Sequence, residues 1–492
     1  MGRLTCLATP HLADLLIRDA LIVTPDGVTP GGVLVRDGRI ARLVPPEALR
    51  DGSLPPTRSV LHARGRYVLP GLVDSHVHIG GSEAGHEDWR RAGRAAAAGG
   101  VTTVIDMPDT VPPLLDPPGV AARAELVRGE SLVDFRFHLG VRPDRVDLLA
   151  DVVPAAAVSV TALPAAGGSD ATRAAEVFAA AARAGLRLLL HLEDDPAGRR
   201  GAPPSSRPDV RDRRHGDVDA VGRIVELVRR HGTAVHVVHV ATAGEAGLLA
   251  AAAGQGLPVT FEVTPHHLSS TEADAGRPGS RARPCRAVRS ERDRERLWEA
   301  VWRGEAATIG GGDAPHVPGE SGAPAGVPCG PPGVRELLPA VYAGMRARRP
   351  DAGPGELLRL IARLCADNPA RLFGLAGRKG RIAPGMDADL VVFDTEEQWT
   401  SGSAEAYGRC RPTAGDDRPV SGRPVLTLRR GQVIWDAGME TFGPPDGVFP
   451  PAERPADLAV RRPGGRPPFS RSPSRISPYI SPGLPDLQRE RS

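Results

Sequence analysis

The chain has 492 residues, 41% hydrophobic and 25% charged, which is the composition of a globular protein with a substantial buried core. Its 62 basic residues nearly balance 59 acidic ones, so we expect no nucleic-acid partner. No apolar stretch reaches about 18 residues and no signal-peptide pattern is present, so we expect neither a membrane partner nor secretion. The five cysteines show no CxxC spacing, which favours free thiols and a cytoplasmic location.

The first 66 residues predict short strands joined by tight turns. Asp37-Gly38 separates two apolar runs and is typical of a β-hairpin. Similar strands, ending in Val433-Ile434-Trp435, follow residue 376. We therefore predict a small β-sandwich domain formed by residues 1–66 together with 376–440.

Residues 67–375 combine short apolar strands with alanine-rich helical segments. Eight strand–helix units, the first with a strand at 68–74, predict an α/β fold of the (β/α)8 TIM-barrel type. A doubly wound open sheet is the alternative, but no glycine fingerprint follows the first strand. Residues 441–492 are rich in proline, arginine and serine, and we expect a disordered tail there.

Two histidines follow the apolar run at the start of the predicted barrel. His76 and His78 are two residues apart, so on a strand their side chains face the same way. Imidazoles that converge on one point are typical ligands of a divalent metal such as zinc. The alternative is a pair of ordinary surface histidines near a turn.

Further metal-type side chains lie where other barrel strands are expected to end. His191 ends the fifth predicted strand and His239 the sixth, while Asp313 and His316 follow the eighth. Catalytic groups of a barrel lie at the carboxyl ends of its strands. One such histidine is more often structural than a ligand, but their recurrence indicates a shared metal site.

Taken together, these segments resemble the amidohydrolase superfamily, and within it the dihydroorotase, allantoinase and hydantoinase group of cyclic amidohydrolases. The resemblance covers most of residues 14–436. It rests on the segments 70–78, 96–108, 191–194, 236–242, 262–268, 313–316, 368–375 and 385–394.

The resemblance implies an enzyme that opens a small cyclic amide or ureide with one or two zinc ions, and that assembles as a homodimer or homotetramer. A metal-activated water would attack the amide carbon, with Asp313 as general base and then acid. The implied metal ligands are His76, His78, His191, His239 and Asp313. The implied substrate-binding residues are Asp109, His316, Ala323 and Gly326.

The chain departs from this group at the position of the metal-bridging lysine. The group carries a carboxylated lysine at the end of strand 4, where this chain has Thr161. The only lysine, Lys379, follows the predicted barrel. A neutral hydroxyl cannot replace an anionic bridge between two dications, so we expect one metal ion rather than two.

Strand 8 departs as well. The group has Asp-His-Ala-Pro-His where this chain has Gly312-Asp313-Ala314-Pro315-His316. A one-residue shift makes Asp313 the catalytic aspartate, and we favour it because a glycine-rich approach can absorb the shift. Without the shift, Gly312 takes the place of the aspartate and the base is absent or displaced.

The third departure concerns the substrate. Dihydroorotases hold the substrate carboxylate with an arginine after the His-x-His pair and an asparagine after strand 2. This chain has Ile79-Gly80-Gly81 and Asp109 there. An aspartate repels a carboxylate, which favours a neutral or cationic cyclic amide.

A non-catalytic paralogue with a binding or assembly role is the alternative function. Such relatives typically lack the bridging lysine and the carboxylate-binding residues. The retained histidines, together with Asp313, favour the enzyme.

Overall fold

The computed structural model describes residues 13–51, 54–79, 89–110, 112–141, 143–152, 160–162, 171–191, 210–275, 288–312, 333–401, 418–451 and 453. The strands are β1 (Ala13–Val23), β2 (Val28–Arg36), β3 (Arg39–Val44), β4 (Thr57–His62), β5 (Tyr67–Pro70), β6 (Leu72–Val77), β7 (Val101–Asp106), β8 (Asp134–Phe137), β9 (Leu139–Val141), β10 (Val160–Ala162), β11 (Leu188–His191), β12 (Val235–Val238), β13 (Val259–Val263), β14 (Thr308–Ile309), β15 (Leu390–Ser401), β16 (Arg418–Arg429), β17 (Gln432–Asp436) and β18 (Thr441–Phe442).

The α-helices are α1 (Pro46–Arg50), α2 (Trp89–Ala98), α3 (Pro117–Val127), α4 (Ala171–Ala184), α5 (Val210–His231), α6 (Ala243–Gly254), α7 (Pro265–Ser269), α8 (Glu272–Ala275), α9 (Glu291–Arg303), α10 (Gly333–Arg348), α11 (Pro354–Ala362) and α12 (Asn368–Leu372). None of these helices, as far as the described ranges extend, is long and apolar enough to cross a membrane.

Both ends of the described chain build one nine-stranded sheet. Its order is β18-β17-β16-β15-β5-β1-β2-β3, and β4 pairs with β1. The antiparallel pair β5–β15, with Val68 opposite Val392, joins the two chain ends. Apolar residues of both ends, such as Ile17 and Leu390, share one buried cluster. The expected contribution of both chain ends to one β structure is confirmed, while the domain boundaries remain a prediction.

The barrel strands are parallel and form two described sheets, β6-β7-β8 and β9-β10-β11-β12-β13-β14. His138 separates β8 from β9, so these two segments make up the third strand position. The segment after β14, the last barrel strand, approaches β6, the first, where the Gly311 N–H donates to Asp74 Oδ1 at 2.9 Å. Helices follow the strands in alternation, and this contact brings the last barrel strand against the first, so the (β/α)8 class is confirmed and the open-sheet alternative is wrong.

The first barrel strand begins later in the chain than the predicted strand 68–74. Residues 67–70 form β5 in the terminal sheet, and the barrel strand β6 begins only at Leu72. Gly71 lies between them, and a Cβ atom there would overlap the side chain of Thr102. The glycine therefore lets the chain pass closely over β7 as it changes sheets.

The interior of the barrel is filled by apolar side chains from several strands and from the segment after α12. Val73, Ile105, Leu189, Val238 and Phe373 belong to one buried cluster. Because helices cover the outside, these parallel strands are buried on both faces, which explains their nearly continuous apolar sequence. The packed interior leaves the carboxyl ends of the strands as the place for polar chemistry.

Residues 441–451 pack against the barrel, although composition assigned them to a disordered tail. The Phe449 ring stacks on Phe137 with centroids 5.9 Å apart, and Arg136 donates to Pro450 O at 2.6 Å. The Phe135 N–H donates to Val448 O at 3.0 Å. Burial of Phe449 against these aromatic rings offsets the low apolar content of the segment. The rest of the expected tail, apart from Glu453, lies outside the described residues.

Candidate metal centre

Four histidines converge at the carboxyl ends of the barrel strands. The ring centroids of His76, His191 and His239 lie 5.0 to 5.2 Å from one another. One nitrogen from each of these three rings lies within 4.8 Å of the other two. The His78 ring is 5.4 Å from His76, and their Nε2 atoms are 3.4 Å apart. All four predicted histidines are therefore brought together.

His239 reaches this cluster through an unusual backbone conformation. It follows β12 directly and has a φ of 39°, in the left-handed region that residues other than glycine rarely adopt. His236 and Val238 face the barrel interior, so regular alternation would direct residue 239 away from it. The left-handed turn places the ring against His191, whose Nδ1 lies 3.1 Å from His239 Nε2.

His78 and Asp109 are hydrogen-bonded at the rim of the cluster. His78 Nδ1 lies 3.0 and 2.8 Å from the two Asp109 carboxylate oxygens. Partial loss of hydration opposes ionisation, but the neighbouring His78 prevails and lowers the pKa of Asp109 below its usual range. The Asp109 side chain is half exposed, so it can also face a bound ligand.

His76 is paired with a carboxylate that the sequence analysis did not assign. Glu262 Oε1 lies 2.8 Å from His76 Nδ1, and both side chains are buried. Burial raises the pKa of Glu262 to about 8. The available signal was a single acidic residue inside the apolar strand β13, which would otherwise be costly to bury.

Asp106 is a second buried carboxylate beside the cluster that sequence reasoning missed. It accepts the Ile79 N–H at 2.7 Å, immediately after His78 in the chain. Burial raises its pKa to about 7. The contact supports the turn that follows the His-x-His pair.

The histidine cluster fits a divalent metal ion. Burial, with the neighbouring imidazoles, lowers the pKa of His76 and of His191 well below the usual value. The neutral rings keep lone pairs for a cation, and imidazole suits zinc and similar metals. Among the described residues, His76, His191 and His239 are the histidines grouped closely enough to hold one ion together.

The glycines before Asp313 are closely packed. A Cβ atom at Gly310 would overlap Glu262, and one at Gly311 would overlap Asp74. The backbone freedom that we expected to absorb the one-residue shift before Asp313 is therefore confined to Gly312, which has a φ of 60°. Four predicted site residues lie outside the described residues: Asp313, His316, Ala323 and Gly326.

Lys379 lies in a different buried cluster from the histidines. Its Nζ donates to Asp134 at 2.5 Å and to Asp389 at 2.6 Å, and lies 3.0 Å from Asp387. Burial opposes protonation, but the three carboxylates raise the Lys379 pKa above its usual value. The ammonium is thus engaged in ion pairs. Thr161 belongs to β10, while its side chain lies outside the described residues.

Comparisons with known proteins agree with this architecture. Residues 67–419 match the amidohydrolase family. An allantoinase of Rubrobacter xylanophilus is 32% identical over 460 residues, covering 88% of this chain and 96% of the relative. A dihydroorotase of Halobacterium salinarum is 34% identical over 380 residues, covering 75% and 86% respectively.

A solved structure of L-hydantoinase (dihydropyrimidinase) from Arthrobacter aurescens superposes with a TM-score of 0.75 at 25% identity. The match covers 89% of this chain and 99% of that chain. The family is metal-dependent, and the convergent histidines provide a group that could hold a metal. The chain therefore belongs to the amidohydrolase family and, within it, to the cyclic amidohydrolases, a group of hydrolases.

Proposed function

We propose that the protein hydrolyses the ring amide of a small, neutral or cationic cyclic amide or ureide, with one zinc ion. The observation that supports this most directly is the group of His76, His191 and His239 at the carboxyl ends of three barrel strands, with His76 and His239 buried. His78 and Asp313 complete the proposed ligand set. A homodimer or homotetramer and a cytoplasmic location are part of the proposal.

Each proposed role follows from the chemistry of its side chain. When bound, the metal ion supplies Lewis acidity, which lowers the pKa of water and polarises a carbonyl. Asp313 accepts the proton of the attacking water and returns it to the ring nitrogen that leaves. Asp109, beside His78, faces the substrate and disfavours anionic rings. His316, Ala323 and Gly326 contact the substrate from the segment after Asp313.

The proposal is tested with purified full-length protein by metal analysis and a panel of rings. We expect stoichiometric zinc and hydrolysis of allantoin, hydantoin or dihydrouracil, with activity lost on chelation and restored by zinc. His76→Ala and His239→Ala should lose both bound zinc and activity. His62→Ala is the matched control, because this histidine lies exposed on β4 and pairs with Asp19.

Two results of these measurements would contradict the proposal in different ways. Protein that binds no zinc and opens none of these rings would contradict the proposal and support the non-catalytic paralogue, whose basis is the absent bridging lysine. Bound zinc without hydrolysis of the panel would contradict the proposed substrate class and leave the metal centre in place.

A further inference from the structure

Glu262 is an acidic residue buried within an apolar strand. Its exposed fraction is 0%, and its neighbours along β13 include Phe261 and Val263, which are also buried. Removing a carboxylate from water is unfavourable unless its oxygens gain partners. The position of this side chain therefore depends on what it contacts.

Its contacts reach two of the strands that supply the histidines. Glu262 Oε1 lies 2.8 Å from Nδ1 of His76, a residue 186 positions away in sequence. The backbone N–H of His239 and the hydroxyl of Ser75 also face the carboxylate. One side chain thus links the ring of His76 to the left-handed turn at His239.

The surrounding backbone leaves space for this carboxylate. A Cβ atom at Gly310 would overlap Oε2 of Glu262 and lie 2.5 Å from its Cδ. The carboxylate therefore occupies the volume that a side chain at residue 310 would need. Glu262 on β13 thus occupies the space left by Gly310, which directly follows β14.

The geometry sets which His76 nitrogen is available for a cation. Nδ1 faces the Glu262 carboxylate, whereas Nε2 faces the histidine cluster, 3.4 Å from Nε2 of His78. An imidazole that donates Nδ1–H to a carboxylate keeps its lone pair on Nε2. A carboxylate behind a ligating histidine also fixes the ring orientation and increases its basicity.

We propose that Glu262 is the positioning residue that holds His76 in the Nδ1–H tautomer, with Nε2 directed at the metal. This role rests on the proposed metal centre. Without a bound cation it requires the ionised form of Glu262, whose pKa burial raises to about 8, so the tautomer is measured above pH 8. Glu262 itself does not touch the ion or the substrate.

The test measures zinc affinity of the full-length protein with a competing chromophoric chelator. Glu262→Gln and Glu262→Ala should weaken zinc binding by about 10- to 100-fold, the usual effect of removing such a partner. The matched control is Asp293→Asn, a buried carboxylate that caps α9 through Ser290 and accepts the Ala243 N–H at 2.9 Å. It should keep wild-type zinc affinity.

A second variant separates positioning from folding. Gly310→Ala should displace the carboxylate and weaken zinc binding, but in the Glu262→Ala background the added methyl has space and should cause little further loss. Ring-nitrogen NMR of ¹⁵N-histidine-labelled protein, assigned with His76→Ala, should show the Nδ1–H tautomer of His76 and its loss in Glu262→Ala.

Two outcomes overturn the proposal: wild-type zinc affinity in both Glu262 variants, or a His76 proton on Nε2 in the wild type. A wild type that takes up no zinc would contradict the proposed metal centre. The NMR tautomer of His76 would then still decide the role of Glu262.

Discussion

At the scale of single residues, three carboxylates organise the histidine cluster. Glu262 lies behind His76, Asp109 behind His78, and Asp106 holds the turn after His78. A hydrogen bond to one nitrogen of an imidazole fixes the orientation of the ring and leaves the lone pair of the other nitrogen for a metal ion. The polar partners therefore matter for the site as much as the histidines do.

Asp109 supports a prediction on substrate charge. Asp109→Asn should raise kcat/KM for the anionic ring of dihydroorotate by about 10-fold, because removing one like charge from the rim is worth about 1.4 kcal/mol. The amide oxygen can still accept the His78 Nδ1–H. Ring-opening kinetics on dihydroorotate and dihydrouracil check this, and equal changes on both substrates would contradict a charge effect.

Asp106 supports a prediction on the pH dependence of stability. Its pKa in the folded protein is about 7, above the unfolded value of 3.8, so the folded state binds the extra proton between these values. The contribution of Asp106 to the free energy of unfolding is therefore fully present below pH 4. It falls as the pH rises towards 7, by up to about 4 kcal/mol. Asp106→Asn should remove this contribution.

Urea unfolding at pH 5 and pH 8 measures that effect as a difference between the wild type and Asp106→Asn. The variant should gain stability relative to the wild type at the higher pH. A difference in free energy of unfolding that is the same at both pH values would show that Asp106 titrates normally.

At the scale of elements, close approaches between strands determine where the site residues lie. Gly71 lets the chain leave the terminal sheet and enter the barrel, and Gly311 lets strand 8 meet Asp74. These contacts bring the strand that carries His76 next to the strand that leads to Asp313. Small residues here serve packing, since a side chain would separate the strands.

Gly311→Ala tests this packing. The added Cβ atom would overlap Asp74 and lie 3.0 Å from the Val334 backbone nitrogen, so we expect a loss of about 1–3 kcal/mol in the free energy of unfolding. Gly247→Ala is the control, because Gly247 lies in α6 with no atom near the new Cβ. Chemical denaturation should show the control as neutral or stabilised, and equal effects would contradict the packing argument.

At the scale of the whole molecule, buried ion pairs join the barrel to the terminal sheet. Lys379 follows the barrel, while Asp134 lies on the barrel strand β8 and Asp389 immediately precedes β15. Arg430 also donates to Asp134, which balances the buried charge. This cluster connects segments that are far apart in sequence.

Lys379→Met should leave the three carboxylates without their shared cation and lower the free energy of unfolding by about 3–5 kcal/mol. Zinc affinity per folded molecule should remain unchanged, because the histidine cluster does not use this ammonium. Thermal unfolding together with metal analysis checks both statements. Loss of zinc from folded protein would instead place Lys379 in the metal site.

Sequence patterns were sufficient to predict the fold class and the convergence of the four histidines. Eight repeated strand–helix units predict a barrel, and functional groups of a barrel lie at strand ends, so the convergence of His76, His78, His191 and His239 follows from local position. The contribution of both chain ends to one sheet also followed from their similar strand patterns. Asp313 and the substrate residues remain predictions.

Other features required the tertiary structure. Residues 441–451 have few apolar side chains, yet Phe449 finds an aromatic surface formed by the distant residues Phe135 and Phe137. Composition records the amount of apolar surface and not whether a complementary surface exists.

The sequence by itself thus determined the barrel and the histidines, because strand periodicity and strand ends are local properties. Only the tertiary structure decided that Glu262 lies behind His76 and that Lys379 serves an ion-pair cluster. Both contacts join residues that are far apart in the chain, and local sequence does not specify which distant partner satisfies a buried charge.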